Sequence, residues 1–348
     1  MLTPRRRILF VFLVSFAGLL VALTKNDTGG QKQPQTATPV ELQISNVNLH
    51  LEREIVLEVR RLRGQMQPTN NAGAITLDDM NSFRVRIDSA EIAISLQTIA
   101  LLLNNYVFAY PGAPLKHIQL TAKNGTIKQT GTMHKGVDLP FEIEGPLDVT
   151  PEGEIRLHAH KIHSAHLPFK SLLHLFGEDL SKLINLKQDR GVRLEGDNIL
   201  INPGRILPPP RIEGKLITVR VEADRIVQTF ETKEVKPLAP PLKARSYLYH
   251  RGGIVRFGKL TMHDADLEIV SLSHTPIFDF SLPEYNRQLV AGYSKNTQSQ
   301  GVIAFMPDLS SLSVSSKDTP APSVSGAING QSKDAGRDKK TTQTSNRQ

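Results

Sequence analysis

The 348 residues carry a formal net charge of +8, 39% hydrophobic residues, no cysteine and no tryptophan. Length and apolar content suffice for one large or two ordinary domains with a real core. The missing cysteine excludes disulfides, thiolate metal sites, cysteine nucleophiles and a lipidated cysteine, and aromatic residues at 5% leave little for stacking platforms.

The positive charge lies in the flanks. Val40 to Asp308 holds 31 Lys plus Arg against 30 Asp plus Glu. A nucleic-acid protein gathers its cations on the folded surface, so no nucleic-acid partner is expected.

Arg5, Arg6 and Arg7 precede Ile8 to Leu23, an uncharged and almost wholly apolar run. Residues 1–24 therefore read as a signal anchor that holds the arginines on the cytoplasmic side and places the body in the periplasm or another extracytoplasmic space. Sixteen residues at about 1.5 Å each fall short of a hydrocarbon core of about 30 Å, and Ala22 with Thr24 offers a small pair for cleavage. A cleaved export signal thus stays open beside the retained anchor. Residues 25–39 are rich in Gly, Gln, Thr and Pro and read as a flexible tether.

The body begins with Val40, Leu42 and Ile44, then Val47, Leu49 and Leu51 in the opposite parity. Ser45-Asn46 therefore marks a bulge or bend in one long strand, which Ile55, Leu57 and Val59 could continue. Residues 62–79 are polar and read as a loop. Phe83, Val85 and Ile87 form a strand, and Ala90, Ile92 and Ile94 follow after a short turn.

Ser95 is a good N-cap for a helix over Leu96 to Phe108 that is apolar on nearly all sides and so belongs inside something. From Leu115 to Pro151 the chain reads as a meander, with a hairpin at Asn124-Gly125 and a turn at Gly145-Pro146. Ile155, Leu157 and Ala159 make a strand leading into Leu167 to Leu186. There Phe169, Leu172, Leu173, Phe176, Leu180, Leu183, Ile184 and Leu186 recur at spacings of three and four, an amphipathic helix.

Val192 with Leu194 and Ile199 with Ile201 are strands. Residues 203–210 form a Pro-rich corner, and Leu216 to Val221 is a strand running on toward Phe230. Lys236 to Leu242 reads as a stiff linker or strand edge. Tyr247 with Tyr249, Val255 with Phe257, and Leu267 with Ile269 mark three short strands, Gly252-Gly253 being a turn. Residues 309–348 read as a disordered tail.

The fold class expected is α+β and β-rich: a strongly curved antiparallel sheet or partial barrel wrapped around two apolar or amphipathic helices. Residues 40–235 form the main domain, and 236–308 a β extension or small second module.

This order resembles that of the bacterial tubular lipid-binding proteins, in particular the LmeA-like phospholipid-binding proteins. The resemblance rests on Leu96 to Phe108, on Phe141, Ile143, Leu147 and Val149, and on Leu167 to Leu186, and covers Val40 to Phe230. It implies a twisted sheet around a long helix, with an apolar channel for lipid tails. Tyr247 to Val270 departs from that pattern.

Polar clusters carry little chemistry. His158, His160, His163 and His166 fall close together, but His158 and His160 share their strand face with Glu154 and Arg156, the wet side of a half-buried strand rather than a metal site. Asp264, Asp266 and Glu268 alternate with Ala265, Leu267 and Ile269, again a solvent face rather than a Ca²⁺ or acid–base site. No GxSxG or Walker sequence occurs. No enzyme, cofactor or metal is therefore expected.

The reading is a membrane-anchored envelope protein holding a phospholipid or other acyl-chain ligand for lipid transport or homeostasis. Its lipid-binding residues would be Ile99, Leu102 and Leu103 in the first helix and Leu172, Phe176, Leu180 and Leu183 in the second. The alternative is a non-enzymatic structural or adaptor protein with a filled core that meets an envelope protein partner.

Overall fold

The computed structural model describes residues 38–69, 73–134, 137–164, 167–168, 186, 190–231 and 234–315, all within one compact unit, Ala37–Gln348. The expected anchor at residues 1–24 lies outside them, as does the tail beyond Ser315. No helix among the described residues is long and apolar enough to cross a membrane.

Strand β1 (Val40–His50) and β2 (Val56–Pro68) pair antiparallel through the short link 51–55. Asn46 adopts φ 51°, its side chain donates to the Arg245 carbonyl, and the buried parity of β1 reverses there. The strand bends at the expected place. Ile55, Leu57 and Val59 do not extend β1: Ile55 ends the link, and Leu57 and Val59 lie in the antiparallel neighbour.

The loop expected at 62–79 is mostly strand. In β2 Leu62, Gly64 and Met66 continue the inward row while Arg61, Arg63 and Gln65 alternate with them. Gly64 is needed, because a Cβ would meet the Arg86 carbonyl oxygen at 2.3 Å. Strand β3 (Ala74–Thr76) follows, then β4 (Phe83–Ser95), which runs straight through the expected turn at residues 88–89.

Ser95 accepts a hydrogen bond from Thr98 N and caps α1 (Leu96–Leu102), which continues as one π-helical stretch over Leu103–Val107. Strands β5 (Leu115–Lys123), β6 (Thr126–His134) and β7 (Asp138–Val149) form the expected meander. Gly145-Pro146 is not a turn but lies inside β7, where an added Cβ would sit 1.5 Å from the His158 carbonyl oxygen. At that close approach β7 changes partner, from β9 (Lys161–Ser164) to β8 (Ile155–His158).

Strand β10 (Leu167–Pro168) pairs with β9, so the chain is extended where the amphipathic helix was expected to start. The N-terminal boundary is corrected by that pairing; the rest of the helix, apart from Leu186, lies outside the described residues. Strands β11 (Val192–Glu195) and β12 (Asn198–Ile201) form a hairpin, and the Pro-rich corner holds a single turn, α2 (Pro203–Ile206), capped by Asn202.

Next come β13 (Arg211–Glu213), β14 (Leu216–Glu222) and β15 (Arg225–Glu231). The last two are a hairpin around Ala223-Asp224 rather than one strand toward Phe230. Strands β16 (Tyr247–Phe257) and β17 (Leu260–Ser271) are long, and Gly252-Gly253 sits inside β16 with both φ values positive. Strand β18 (Phe278–Ser281), α3 (Tyr285–Val290), β19 (Tyr293–Asn296), β20 (Val302–Met306) and α4 (Leu309–Ser315) complete the chain. Leu309–Ser315, expected in the tail, is thus helical.

Among the described residues the protein is β-rich, with two sheets. The first runs β14-β15-β4-β2-β1-β16-β17-β20-β19, and the second runs β10-β9-β7-β8-β12-β11 with β6 and β5 beyond β7. Neither is strongly curled or closed, which corrects the expected partial barrel; wrapping around two helices is not seen. Residues on both sides of position 236 share the first sheet, because β16 pairs with β1.

Candidate functional site

The outer edge of β4 is divided. Its first half pairs with β13 in parallel through Arg84–Arg86, and its second half pairs with β15 antiparallel through Ser89–Ser95. Where the edge passes from one partner to the other, a cavity of about 280 Å³ opens. Its floor is apolar: Leu57, Ile87, Ile92, Ile94 and Phe230. The segment from Asn202 to Gly214, containing α2 and β13, forms its cover.

Two glycines let that cover lie close. A Cβ on Gly204 would meet the Ile212 carbonyl oxygen at 2.3 Å, and one on Gly214 would meet Ile87 Cβ at 2.9 Å. Asn202 fixes the start of the cover, since its N–H donates to the Gly191 carbonyl and its Oδ1 accepts from Arg205 N.

One polar side chain breaks the apolar floor. Gln228 stands across from Ile92, which stands across from Val59, so the three form one row over three strands. Gln228 is 2% exposed, and its Oε1 has no hydrogen-bond partner. At the rim Arg211 pairs with Glu213 at 2.9 Å, whereas Arg205 is exposed and makes no ion pair among the described residues.

A second, smaller cavity of about 40 Å³ lies deeper against β1, β2, β4 and β16 and shares Leu57, Ile92 and Ile212 with the first. The two spaces therefore adjoin through common walls. Its lining is apolar except for His250, which is 3% exposed with Nδ1 unpartnered. Burial drives the imidazole pKa down to about 4, partly offset by the Leu267 carbonyl, so the ring is neutral at physiological pH.

The opposite face of β14, β15, β4 and β2 is ionic. Arg60 bridges Glu58, Glu91 and Glu222, and Arg220 reaches Glu91 and Glu222. Such exposed networks keep that face wet and add little stability. Both cavities lie on the apolar face.

No family model, curated protein or solved structure matches this chain. The site therefore stands on its own geometry.

Of the residues expected to touch lipid, Ile99, Leu102 and Leu103 are buried in the main apolar cluster, but line neither cavity. Leu172, Phe176, Leu180 and Leu183 lie outside the described residues. Asn104 ties α1 to β5, donating to the Ala100 and Ile118 carbonyls and accepting from Ile118 N. An open groove beside α1 is lined by Leu96, Gln97 and Ala100 together with Gln119 to Ala122.

Two of the three acidic residues on β17, Asp266 and Glu268, do not face solvent, which corrects the sequence expectation for them; Asp264 is exposed as expected. Asp266 is 9% exposed and Glu268 fully buried: residues 234–245 cross over Glu268, and Ser299 to Gly301 pack against Asp266. Glu268 Oε2 accepts from Leu242 N at 2.8 Å, and Gln43 both donates to and accepts from the backbone of Leu238. Asp266 accepts from Tyr249 Oη and Ser299 Oγ and pairs with Arg251. Glu268 thus fastens a strap rather than meeting solvent.

Asp148 holds Arg156 and His158, and the Arg156 guanidinium keeps its carboxyl at about 2 despite slight burial, with His158 adding to the effect. His158 and His160 lie with ring centroids 6.2 Å apart. Among the described residues no group of three His, Asp or Glu could hold a metal ion.

Proposed function

We propose that this chain is a non-enzymatic binder of lipid acyl chains that receives them against the apolar face of its first sheet. In this reading residues 8–23 hold it to a membrane, the body faces the periplasm or another extracytoplasmic space, and the role is envelope lipid transport or homeostasis. The observation that carries the proposal is the pair of adjoining cavities over Leu57 and Ile92: the smaller is walled by apolar side chains apart from His250, and the larger has an apolar floor beneath a polar rim of Glu152, Asn202, Arg205, Arg211 and Glu213.

Transfer of each methylene from water to such a wall is worth about 0.8 kcal/mol and needs no catalytic group. A space of about 280 Å³ sits at the lower edge of ordinary ligand sites, which span roughly 300–1,000 Å³, and so suits one chain better than two. The resemblance of the sequence order to tubular lipid-binding proteins points the same way.

A photoactivatable palmitic acid carrying a chain diazirine tests the reading on the full-length protein. Label is expected on peptides containing Ile87 to Ile94 and Gln228 to Phe230. Label confined to residues 8–23, or none at all, would move the assignment to an adaptor with a filled core.

A further inference from the structure

Outside the larger cavity the cover forms one wall of an open groove in which charge does not balance. Among the described residues its lining includes Arg84, Arg205 and Arg211 and no acidic side chain. Groove and cavity share Gly204, Arg205, Leu207 and Arg211, so the two spaces adjoin.

Register makes the arrangement costly to the fold. Strand β13 lies parallel to β4 with Arg211 directly across from Arg84, and like charges set opposite one another in a sheet repel. One carboxylate tempers this: Glu213 Oε1 stands 2.9 Å from Arg211 Nε and 3.9 Å from Arg84 Nη1. Two guanidinium groups therefore converge on a single oxygen, and one of their charges stays uncompensated. Arg205 adds a second, being exposed on α2 with no ion pair among the described residues. Arg84 Nε donates to Gln67 Oε1 at 3.0 Å, which orients the guanidinium and leaves its terminal nitrogens for an anion.

An excess of two positive charges on planar donor forks matches a phosphomonoester. That group carries about −1.5 to −2 charges at pH 7 and three acceptor oxygens, and arginine binds it through paired hydrogen bonds. A carboxylate brings one charge and two oxygens, and Glu213 already fills that role.

We infer that the groove takes a phosphomonoester, held by Arg84, Arg205 and Arg211. This rests on the acyl-binding reading and deepens it: with the chain over the apolar floor of the adjoining cavity, the phosphate is the headgroup of a single-chain lipid.

The test is equilibrium dialysis of the full-length protein, held in a nonionic amphipathic polymer, against radiolabelled decyl phosphate, decanoate and inorganic phosphate below micellar concentrations. Decyl phosphate is expected to bind at least roughly tenfold more tightly than decanoate, with a preference that shrinks as salt is raised. Arg84→Gln and Arg205→Gln, both at exposed positions, are each expected to weaken decyl phosphate roughly threefold to tenfold and decanoate less. Glu213→Gln frees both arginines and is expected to tighten decyl phosphate, a change that loss of folding does not mimic. Equal affinity for decyl phosphate and decanoate, or an affinity for decyl phosphate that neither Arg205→Gln nor Glu213→Gln moves, overturns the inference and leaves acyl binding standing. Inorganic phosphate bound as tightly as decyl phosphate upholds the arginine site and counts against acyl binding instead. Binding of none of the three overturns both.

Discussion

His50 and Asp279 meet across the parallel pair of β1 and β18, with His50 Nε2 2.6 Å from Asp279 Oδ1. Burial pulls the imidazole pKa down, but the Asp279 carboxylate and the Arg53 carbonyl more than reverse this, so it lies above its ordinary 6.5. A raised value means stabilisation that is complete below about 6.5 and is lost as pH rises through the folded value. His50→Leu is expected to cost about 1.5–3 kcal/mol at pH 6 and distinctly less at pH 9, measured by urea unfolding. An equal loss at both values would show that the pair acts without its charge.

His250 has the opposite sign. Its folded pKa of about 4 lies below 6.5, so the unfolded chain binds the proton first and stability falls as pH drops through that window. The full loss is about 3 kcal/mol at roughly 1.4 kcal/mol per pH unit. His250→Leu, which also removes the unpartnered Nδ1, is expected to flatten the acid limb between pH 6.5 and 4. Unfolding curves across that window check it, and an unchanged slope would assign the acid loss to other groups.

Glu268 is raised chiefly by burial, with Asp266 adding to the effect and the bond from Leu242 N opposing it. Protonation is therefore easier in the folded chain, and stability declines as pH rises from about 4.5 through the folded value. Glu268→Gln keeps an acceptor for Leu242 N and removes the buried charge. It is expected to raise the melting temperature at pH 8 and to leave it nearly unaltered at pH 4. A fall at pH 8 would mean that the ionised carboxylate itself holds the strap.

Gly145→Ala is expected to destabilise by about 2 kcal/mol or more, because the new methyl would fall on the His158 carbonyl where β7 changes partner. Thermal unfolding with tryptic mapping is the check. The earliest new cleavage is expected in β8 and β9. A variant as stable as the wild type would mean that these strands part without cost.

Much of this molecule was legible from local pattern. Ser95 announced α1, Asn124-Gly125 announced the β5–β6 hairpin, and the parity change at Asn46 announced the bend in β1. Each is decided by residues within one or two turns of chain. What could not be read came from distant partners. Asp266 and Glu268 have the alternation of a wet strand, and it is the packing of Ser299 to Gly301 on the one and the crossing of residues 234–245 over the other that make them interior. Glycine misled in β16 and β7 because close backbone approach and turning ask for the same residue. The cavity was hidden for a related reason: its floor is β2, β4 and β15, its cover comes from 202–214, and Gln228 reads as an ordinary polar residue until its neighbours are known.

The pairing of β1 with β16 also governs assembly. Glu41 lies opposite Arg251, so the first strand to be made must wait for roughly 200 further residues before that edge is covered. At ~5–20 residues per second this is ~10–40 s of synthesis with one side of a long strand able to pair with another chain. A chain stopped before Tyr247 would keep that edge open for good. Newly made protein therefore carries a long uncovered strand edge, and a holding chaperone that covers Val40 to His50 would keep it from pairing with another chain.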